Sequence, residues 1–189
     1  MEALLWGCVG FGVLYLFDFN KVKKIHPWIN SLFSVGVALL VYSTVTLFFN
    51  QTTDFVLPNN FKFAFYVLAF FSACMMFYAL FGALPFKSTY VSGQGNKVVD
   101  TGFYALCRHP GVWGFFFTYF FLFLASGKWM MLYATILWTL MDIIHVWVQD
   151  RYFFPKTLDG YTEYQKTTPF LFINKESFRR FRTTLLKGN

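Results

Sequence analysis

Two short polar segments interrupt the apolar second half of this 189-residue chain. Arg108, His109 and Pro110 stand directly before one apolar run, and Gln149 and Asp150 end the next one. An arginine keeps its charge at membrane depth, so its guanidinium needs a carboxylate, a phosphate or carbonyl groups as partners. An aspartate at the same depth would supply such a partner, or both groups would face one zwitterionic ligand.

The composition indicates that lipid is the solvent for most of the chain. Hydrophobic residues make up 57% of the sequence and charged residues only 13%, whereas a soluble domain carries about a quarter charged residues. The net charge is +7, but the basic residues are not gathered with other polar residues on one folded face, which argues against a nucleic-acid partner. The basic residues lie between the apolar runs and in the tail, the arrangement that sets orientation in a membrane.

Five apolar runs predict an all-α integral membrane protein with about five transmembrane helices. The expected spans are residues 3–17, 28–49, 61–84, 111–126 and 129–148. Residues 1–84 would form three N-terminal spans, and residues 85–189 a loop, a helical hairpin and a C-terminal segment, all in one structural unit. Asp18 is expected to end the first helix. Gly93 and Gly95 mark a flexible loop before the fourth span.

The connections between the spans predict the orientation. The first and third connections and the C-terminal segment are basic, and the second and fourth carry almost no charge. This alternation predicts an N-terminus outside and a C-terminal segment in the cytoplasm, in a bacterial inner membrane or the endoplasmic reticulum. The turn at residues 126–128 is so short that the last two spans must be antiparallel neighbours. Arg108 and Asp150 should therefore reach the same cytoplasmic rim.

A polar stripe crosses the fifth span at Asp142, His145 and Gln149, which share one helical face. Two interpretations stay open. His145 would be a general base, since histidine titrates near about pH 6.5, or the stripe would make interhelical hydrogen bonds that fix packing. The expected partners in the second case are Ser43, Thr44, Thr46 and Thr118.

Cysteine and histidine usage gives no sign of a metal site. The three cysteines are scattered and are expected to be free thiols. The three histidines are separated and offer no cluster of ligands.

The two polar segments together carry a family resemblance. The pattern V-x-x-G-x-Y-x-x-x-R-H-P-x-x-x-G, from Val99 to Gly114, resembles the isoprenylcysteine carboxyl methyltransferase family of integral-membrane enzymes. That family also has a Glu-Glu pair at a fixed distance before Y-x-x-Y-x-x-x-x-P. Here Gln149-Asp150 stand at that distance before the Tyr-x-x-Tyr of residues 161–164. The resemblance covers about residues 85–173.

The resemblance implies a methyltransferase that binds S-adenosylmethionine at the cytoplasmic end of the last hairpin, under the C-terminal segment. The methyl acceptor would be lipophilic or small: an isoprenylcysteine carboxylate, a phospholipid amine or a thiol. The implied cofactor-binding residues are Gly102, Tyr104, Arg108, His109, Pro110, Gln149, Asp150, Tyr161 and Tyr164. Arg108 and Asp150 would serve catalysis, with His145 as the candidate base.

Two departures from the family pattern keep alternatives open. Gln149 replaces the first Glu of the pair and Asp150 is a shorter substitute for the second. Residues 158–160 read Leu-Asp-Gly where the family has Phe-Gly before the first tyrosine. An NAD(P)H-dependent membrane reductase of related architecture and a non-catalytic membrane relative are the alternative predictions.

Overall fold

The computed structural model describes residues 1–50, 52–82 and 96–186. This part of the chain is almost entirely helical, which confirms the predicted all-α fold class. By length and composition, four of its helices are able to cross a membrane. They are Glu2–Lys23, Pro27–Asn50, Asn59–Phe81 and Trp129–Thr157.

The helices follow the apolar runs of the sequence closely. The α-helices are α1 Glu2–Lys23, α2 Leu32–Asn50, α3 Asn59–Phe77, α4 Phe103–Leu106, α5 Pro110–Ser126, α6 Trp129–Val148, α7 Phe154–Thr157, α8 Tyr161–Thr167 and α9 Lys175–Leu186. A 3-10 turn, Pro27–Ser31, precedes α2, and π-helical turns Tyr78–Gly82 and Gln149–Phe153 extend α3 and α6. A short parallel pairing joins β1, Asn96–Lys97, to β2, Leu158–Asp159.

Most predicted boundaries agree with this structure, with one correction. Helix α6 has the predicted bounds, and α5 starts one residue early with Pro110 in its first turn. Helix α5 has 17 residues and is shorter than the four candidate spans, so a fifth crossing stays a prediction. The expectation that Asp18 ends the first helix is wrong, because α1 continues to Lys23. The glycine loop at residues 93–95 lies outside the described residues.

The helices pack as a bundle around a small apolar core. Helix α1 contacts α2 and α6, and α5 contacts both α3 and α6. Trp138 is fully buried, and its indole Nε1 donates to the Leu4 carbonyl at 3.1 Å. On α3, in contrast, large apolar side chains such as Phe63 and Phe70 are exposed. Such outward-facing phenylalanines suit contact with lipid.

The turn between α5 and α6 lies at the end of the bundle opposite the site. Gly127 has a left-handed φ of 66°, and a Cβ there would collide with the Phe55 carbonyl. The Gly127 carbonyl accepts hydrogen bonds from the amides of Asp54 and Phe55 at 2.8 and 3.1 Å. The tight turn makes α5 and α6 antiparallel neighbours, as predicted. The start of α5 and the end of α6 therefore meet at the other end of the bundle.

A glycine-to-alanine pair tests how closely α3 and α5 approach. A Cβ on Gly114 would lie 2.8 Å from the Met76 amide nitrogen and 2.9 Å from its Cα. We expect Gly114→Ala to lower the free energy of unfolding by about 1–3 kcal/mol, because backbone atoms must move apart. Unfolding in detergent micelles, followed by circular dichroism, would measure this loss.

Gly12→Ala is the matched control, because no heavy atom lies within 4 Å of the Cβ position on this α1 glycine. It should leave stability unchanged or slightly improved, since alanine favours helix. Equal stability of the two variants would show that the α3–α5 contact is looser than described.

Candidate functional site

An ion pair between Arg108 and Asp150 occupies the rim where α5 begins and α6 ends. The guanidinium Nε donates to Asp150 Oδ1 at 2.7 Å and Nη2 donates to Oδ2 at 3.0 Å, a two-point contact. Both side chains are about nine-tenths buried. The pair predicted from the length of the hairpin is confirmed. The residues lie 42 positions apart in the chain, so the contact closes the hairpin at its open end.

The Asp150 carboxylate accepts three further hydrogen bonds. Tyr161 Oη donates to Oδ1 at 2.7 Å, and His109 Nε2 lies 3.1 Å from the same oxygen. Gln165 Nε2 donates to Oδ2 at 3.0 Å and to the Asp150 carbonyl at 2.8 Å. We call these five residues, Arg108, His109, Asp150, Tyr161 and Gln165, the Asp150 cluster. The carboxylate is thus surrounded by donors on both oxygens.

Arg108 also attaches the C-terminal segment to the bundle. Its Nη1 donates to the carbonyls of Thr168 and Gln165 at 2.6 and 3.1 Å. Its backbone amide donates to the Pro169 carbonyl at 2.9 Å, and the Phe170 ring centre lies 5.7 Å from Cζ. All three guanidinium nitrogens therefore have protein acceptors. In the described structure Arg108 acts as a positioning residue.

Burial keeps two donors of the cluster, His109 and Tyr161, uncharged. Burial lowers the pKa of His109 despite the neighbouring Asp150 carboxylate, so the neutral ring donates its Nε2 proton to Asp150. Burial, reinforced by Asp150, raises the pKa of Tyr161, whose phenol stays protonated. Burial also raises the pKa of Cys107 to about 11, which makes that thiol a poor nucleophile at neutral pH.

A cavity of about 550 Å³ lies beside the Asp150 cluster. Its volume falls in the range of small-molecule sites, roughly 300–1,000 Å³. One end, which we call the outer end, is lined by the rim and the C-terminal segment, including Lys97, Val99, Tyr104, Arg108, His109, Phe154, Lys156, Asp159, Tyr161 and Tyr164. The inner end lies between the helices and is lined by Phe17, Asp18, Lys21, Met76, Leu80, Val112, Phe115, Asp142, Val146 and Gln149.

The structure brings most of the predicted cofactor residues to this cavity. Those that line it are Tyr104, Arg108, His109, Gln149, Tyr161 and Tyr164. Tyr164 donates its hydroxyl to the Tyr104 carbonyl at 2.7 Å, so the second tyrosine fastens the C-terminal segment to α4. The two halves of the sequence motif therefore face each other across one space.

Four predicted site residues lie outside the lining. Gly102 has a φ of 59°, precedes α4 and donates its amide to Thr184 Oγ1 at 3.3 Å. Pro110 is buried in the first turn of α5. Asp150 is surrounded by the other members of its cluster. His145 lies on α6 next to α1, where its partner is Asp18.

Asp18 connects α1 to the polar stripe of α6. Its Oδ2 lies 2.6 Å from His145 Nε2 and accepts a hydrogen bond from Gln149 Nε2 at 2.6 Å. The His145 ring also packs edge-on against Tyr15, with ring centres 4.6 Å apart. An interhelical hydrogen bond was one of the two interpretations of this stripe, and His145 makes one.

The hydroxyl partners expected for the polar stripe of α6 are wrong for Ser43, Thr44 and Thr118, whose described hydrogen bonds go elsewhere. Ser43 Oγ donates to the Leu39 carbonyl of its own helix, and Thr118 Oγ1 donates to the Gly114 carbonyl. Thr44 Oγ1 donates to the Leu40 carbonyl and contacts the Tyr119 hydroxyl at 2.6 Å. An aspartate on α1 is a stronger acceptor than these hydroxyls, and it faces α6.

Two residues of the site were missed by sequence reasoning. Asp18 was read only as the end of a helix, although a carboxylate at the edge of an apolar run signals a polar contact between helices. Nothing in the sequence indicated Gln165, because a glutamine in a polar segment does not by itself predict a buried hydrogen bond. Within residues 1–50, 52–82 and 96–186, no group of three or more His, Cys, Asp and Glu side chains is placed to hold a metal ion.

Comparisons with family models, curated proteins and solved structures found no match to this chain. The function must therefore be argued from the cavity and its lining.

Removing the charge of Asp150 tests the role of the cluster. Asp150→Asn leaves the buried guanidinium of Arg108 without its anion, so we expect the free energy of unfolding to fall by about 3 kcal/mol or more. The C-terminal segment should also become sensitive to protease, because it loses the contacts of Tyr161 and Gln165. Denaturant unfolding in micelles and timed trypsin digestion would measure both effects.

Glu163→Gln is the matched control, since it removes a carboxylate that pairs with Lys166 at 2.7 Å on the surface. Those two side chains are 75% and 64% exposed, and such a pair contributes about 0–1 kcal/mol. If Asp150→Asn proved as mild as this control, the cluster would not be what holds the segment in place.

Proposed function

We propose that this protein is an integral-membrane methyltransferase that uses S-adenosylmethionine on a lipophilic or small acceptor. The observation that carries the proposal is the shared cavity, which the Arg-His-Pro segment lines from one side and the Tyr-x-x-Tyr segment from the other. These are the two parts of the motif that resembles the isoprenylcysteine carboxyl methyltransferase family.

The lining of the outer end fits the chemistry of the cofactor. S-adenosylmethionine supplies a methyl group on a sulfonium, together with an amino acid tail and a purine. Tyr104, Phe154 and Tyr161 offer aromatic faces for the purine or the sulfonium. Lys156 would bind the tail carboxylate and Asp159 its amino group, since both side chains line the same end.

The Asp150 cluster would serve the reaction by positioning the site. Methyl transfer is an in-line displacement that depends on alignment and on exclusion of water more than on a strong acid or base. Arg108 and Asp150 fasten the C-terminal segment over the outer end, so they would act through the tyrosines that they hold. In this proposal His145 likewise positions Asp18, which lines the inner end.

The distribution of basic residues supports a cytoplasmic site. Basic side chains gather at the cavity end of the bundle, where the described ones include Lys21, Lys23, Lys24, Lys97, Arg108, Arg151 and Lys156. Lys62 and Lys128 lie toward the opposite end. Positive charge marks the cytoplasmic side of membrane proteins. We therefore propose an N-terminus outside and a site that opens to the cytoplasm, with an apolar inner end that suits a lipid-borne acceptor.

A nicotinamide-dependent reductase is the second candidate. Lys97 and Lys156 at the outer end would suit the phosphates of a dinucleotide. Asp18, Asp142 and Asp159 argue the other way, because three carboxyl groups in one cavity favour a ligand that carries positive charge. Four lysines and Arg108 line the same cavity, so its charge alone does not rank the two cofactors. The two-part sequence motif that meets at the cavity is what ranks the methyltransferase first.

Calorimetric titration of the purified protein with S-adenosylmethionine and with NADPH would separate the candidates. We expect saturable binding of S-adenosylmethionine and none of NADPH. Binding of NADPH alone would support the reductase. Binding of neither would contradict both enzymes and favour a non-catalytic membrane relative.

A steric variant would show that the bound cofactor occupies this cavity. Gly111 lines the cavity, and a Cβ there would meet only Leu80 and Ala79 at 3.8–3.9 Å. Gly111→Leu should therefore fold normally but place its side chain in the ligand space, and affinity for S-adenosylmethionine should fall at least tenfold. Gly12→Leu adds the same side chain to an open helical surface, so it should bind as the unmodified protein does.

A further inference from the structure

Asp142, at the inner end of the cavity, is a carboxyl group for which the described part of the chain supplies no hydrogen-bond or ion-pair partner. It lies on α6, in a helix able to cross a membrane, and it lines the ligand space. No hydrogen bond or ion pair joins its side chain to any residue that the structure describes. Ionisable groups at such depth normally pair with one another or mark the path of a substrate.

Two other acidic groups in or beside the cavity, Asp18 and Asp150, are at least partly satisfied, whereas Asp159 at the outer end also lacks a side-chain bond to any described residue. Asp150 accepts from Arg108, Tyr161 and Gln165, and Asp18 binds His145 and Gln149. Both contacts of Asp18 fall on Oδ2, which leaves Oδ1 without a described donor. Asp142 thus differs from Asp18 and Asp150, and it lies at the end of the cavity that the long apolar helices surround.

The groups around Asp142 add charges of both signs and aromatic surface. Across from it, α1 presents Asp18 and the Tyr15 hydroxyl, which donates to the carbonyl of Met141, the preceding residue. His145 lies three residues further along α6 and is directed to Asp18. Lys21 lines the same cavity from α1, and Phe115 lines it from α5.

We propose that the inner end binds the amine headgroup of an amphiphilic acceptor, with the Asp142 carboxylate receiving a hydrogen bond from its ammonium group. Calling this ligand an acceptor rests on the proposed methyltransferase function, but its binding can be measured without the cofactor. An ammonium supplies both the charge and the donors that Asp142 lacks. Phe17 and Phe115 add aromatic faces, and Met76 and Val146 would contact the apolar tail.

The other two acceptor classes fit this wall less well. A carboxylate would meet two acidic side chains, Asp18 and Asp142, against one basic side chain, Lys21, at the inner end, so like-charge repulsion outweighs attraction. A thiol supplies no charge and only a weak donor. The choice among the three acceptor chemistries therefore comes down to an amine.

Ligands with one tail and different headgroups test the assignment directly. Octylamine, octanoate and octanethiol would be titrated into the full-length protein in a nonionic detergent, with S-adenosylmethionine absent. We expect octylamine to bind at least tenfold more tightly than the other two, because a bond to a charged group is among the stronger ones. Octanoate or octanethiol binding as tightly as octylamine would overturn the proposal, and this comparison needs no variant.

Asp142→Asn keeps the size of the side chain and removes its charge. Octylamine affinity should fall about tenfold or more, and octanethiol affinity should not change. Asp100→Asn is the matched control, since Asp100 is exposed, does not line the described cavity and undergoes the same change. Unaltered octylamine affinity in Asp142→Asn, with a normal unfolding temperature, would overturn the assignment.

Two further arms separate this inference from the proposed function and identify the source of the amine. S-adenosylmethionine titrated alone reports the cofactor site, so a protein that binds octylamine but not the cofactor keeps the amine site and loses the methyltransferase. Competition against octylamine by phosphatidylethanolamine in nanodiscs assigns the amine to a lipid headgroup, and competition by free ethanolamine assigns it to a soluble amine. Either result supports the site.

Discussion

The ion pair between Arg108 and Asp150 is the interaction on which the rest of the cavity end depends. It joins the residues just before α5 to the π-helical extension of α6, and through the Thr168 carbonyl it also holds the C-terminal segment. A buried guanidinium is stable only when its N–H groups have acceptors, and here each nitrogen has one. The C-terminal segment that lines the cavity is therefore fixed by this ion pair and its hydrogen bonds together with the buried side chains of Tyr161, Tyr164 and Leu171.

The acidic side chains of this region differ in how far they are satisfied. Asp150 is surrounded by donors and can do no chemistry without the segment coming loose. Asp18 is bound on one oxygen by His145 and Gln149, and Asp142 has no described partner. Of these three carboxyl groups, Asp142 therefore has the most unmet hydrogen-bonding capacity. A ligand gains most where the protein leaves a charge unmatched.

The helix irregularities lie where this arrangement needs them. Both π-helical turns, Tyr78–Gly82 and Gln149–Phe153, border the cavity, and such turns are frequent at functional sites. The first presents the Ala79 carbonyl to the Tyr104 hydroxyl at 2.8 Å, and the second contains Asp150. Each widens its helix at the rim while the membrane-embedded part stays regular. The scaffold and the site are in this way built from the same helices.

The sequence by itself determined the helices and one contact of the site. Long apolar runs with few charges predict helices in lipid, and the short turn at Gly127 predicts that Arg108 and Asp150 meet at one rim. The tertiary structure alone decided that Asp18 pairs with His145, that Gln165 binds Asp150 and that Arg108 is fully occupied. These contacts depend on which face of α1 and of the C-terminal segment is turned toward α6. A helix that is apolar on all sides does not specify that face in its sequence.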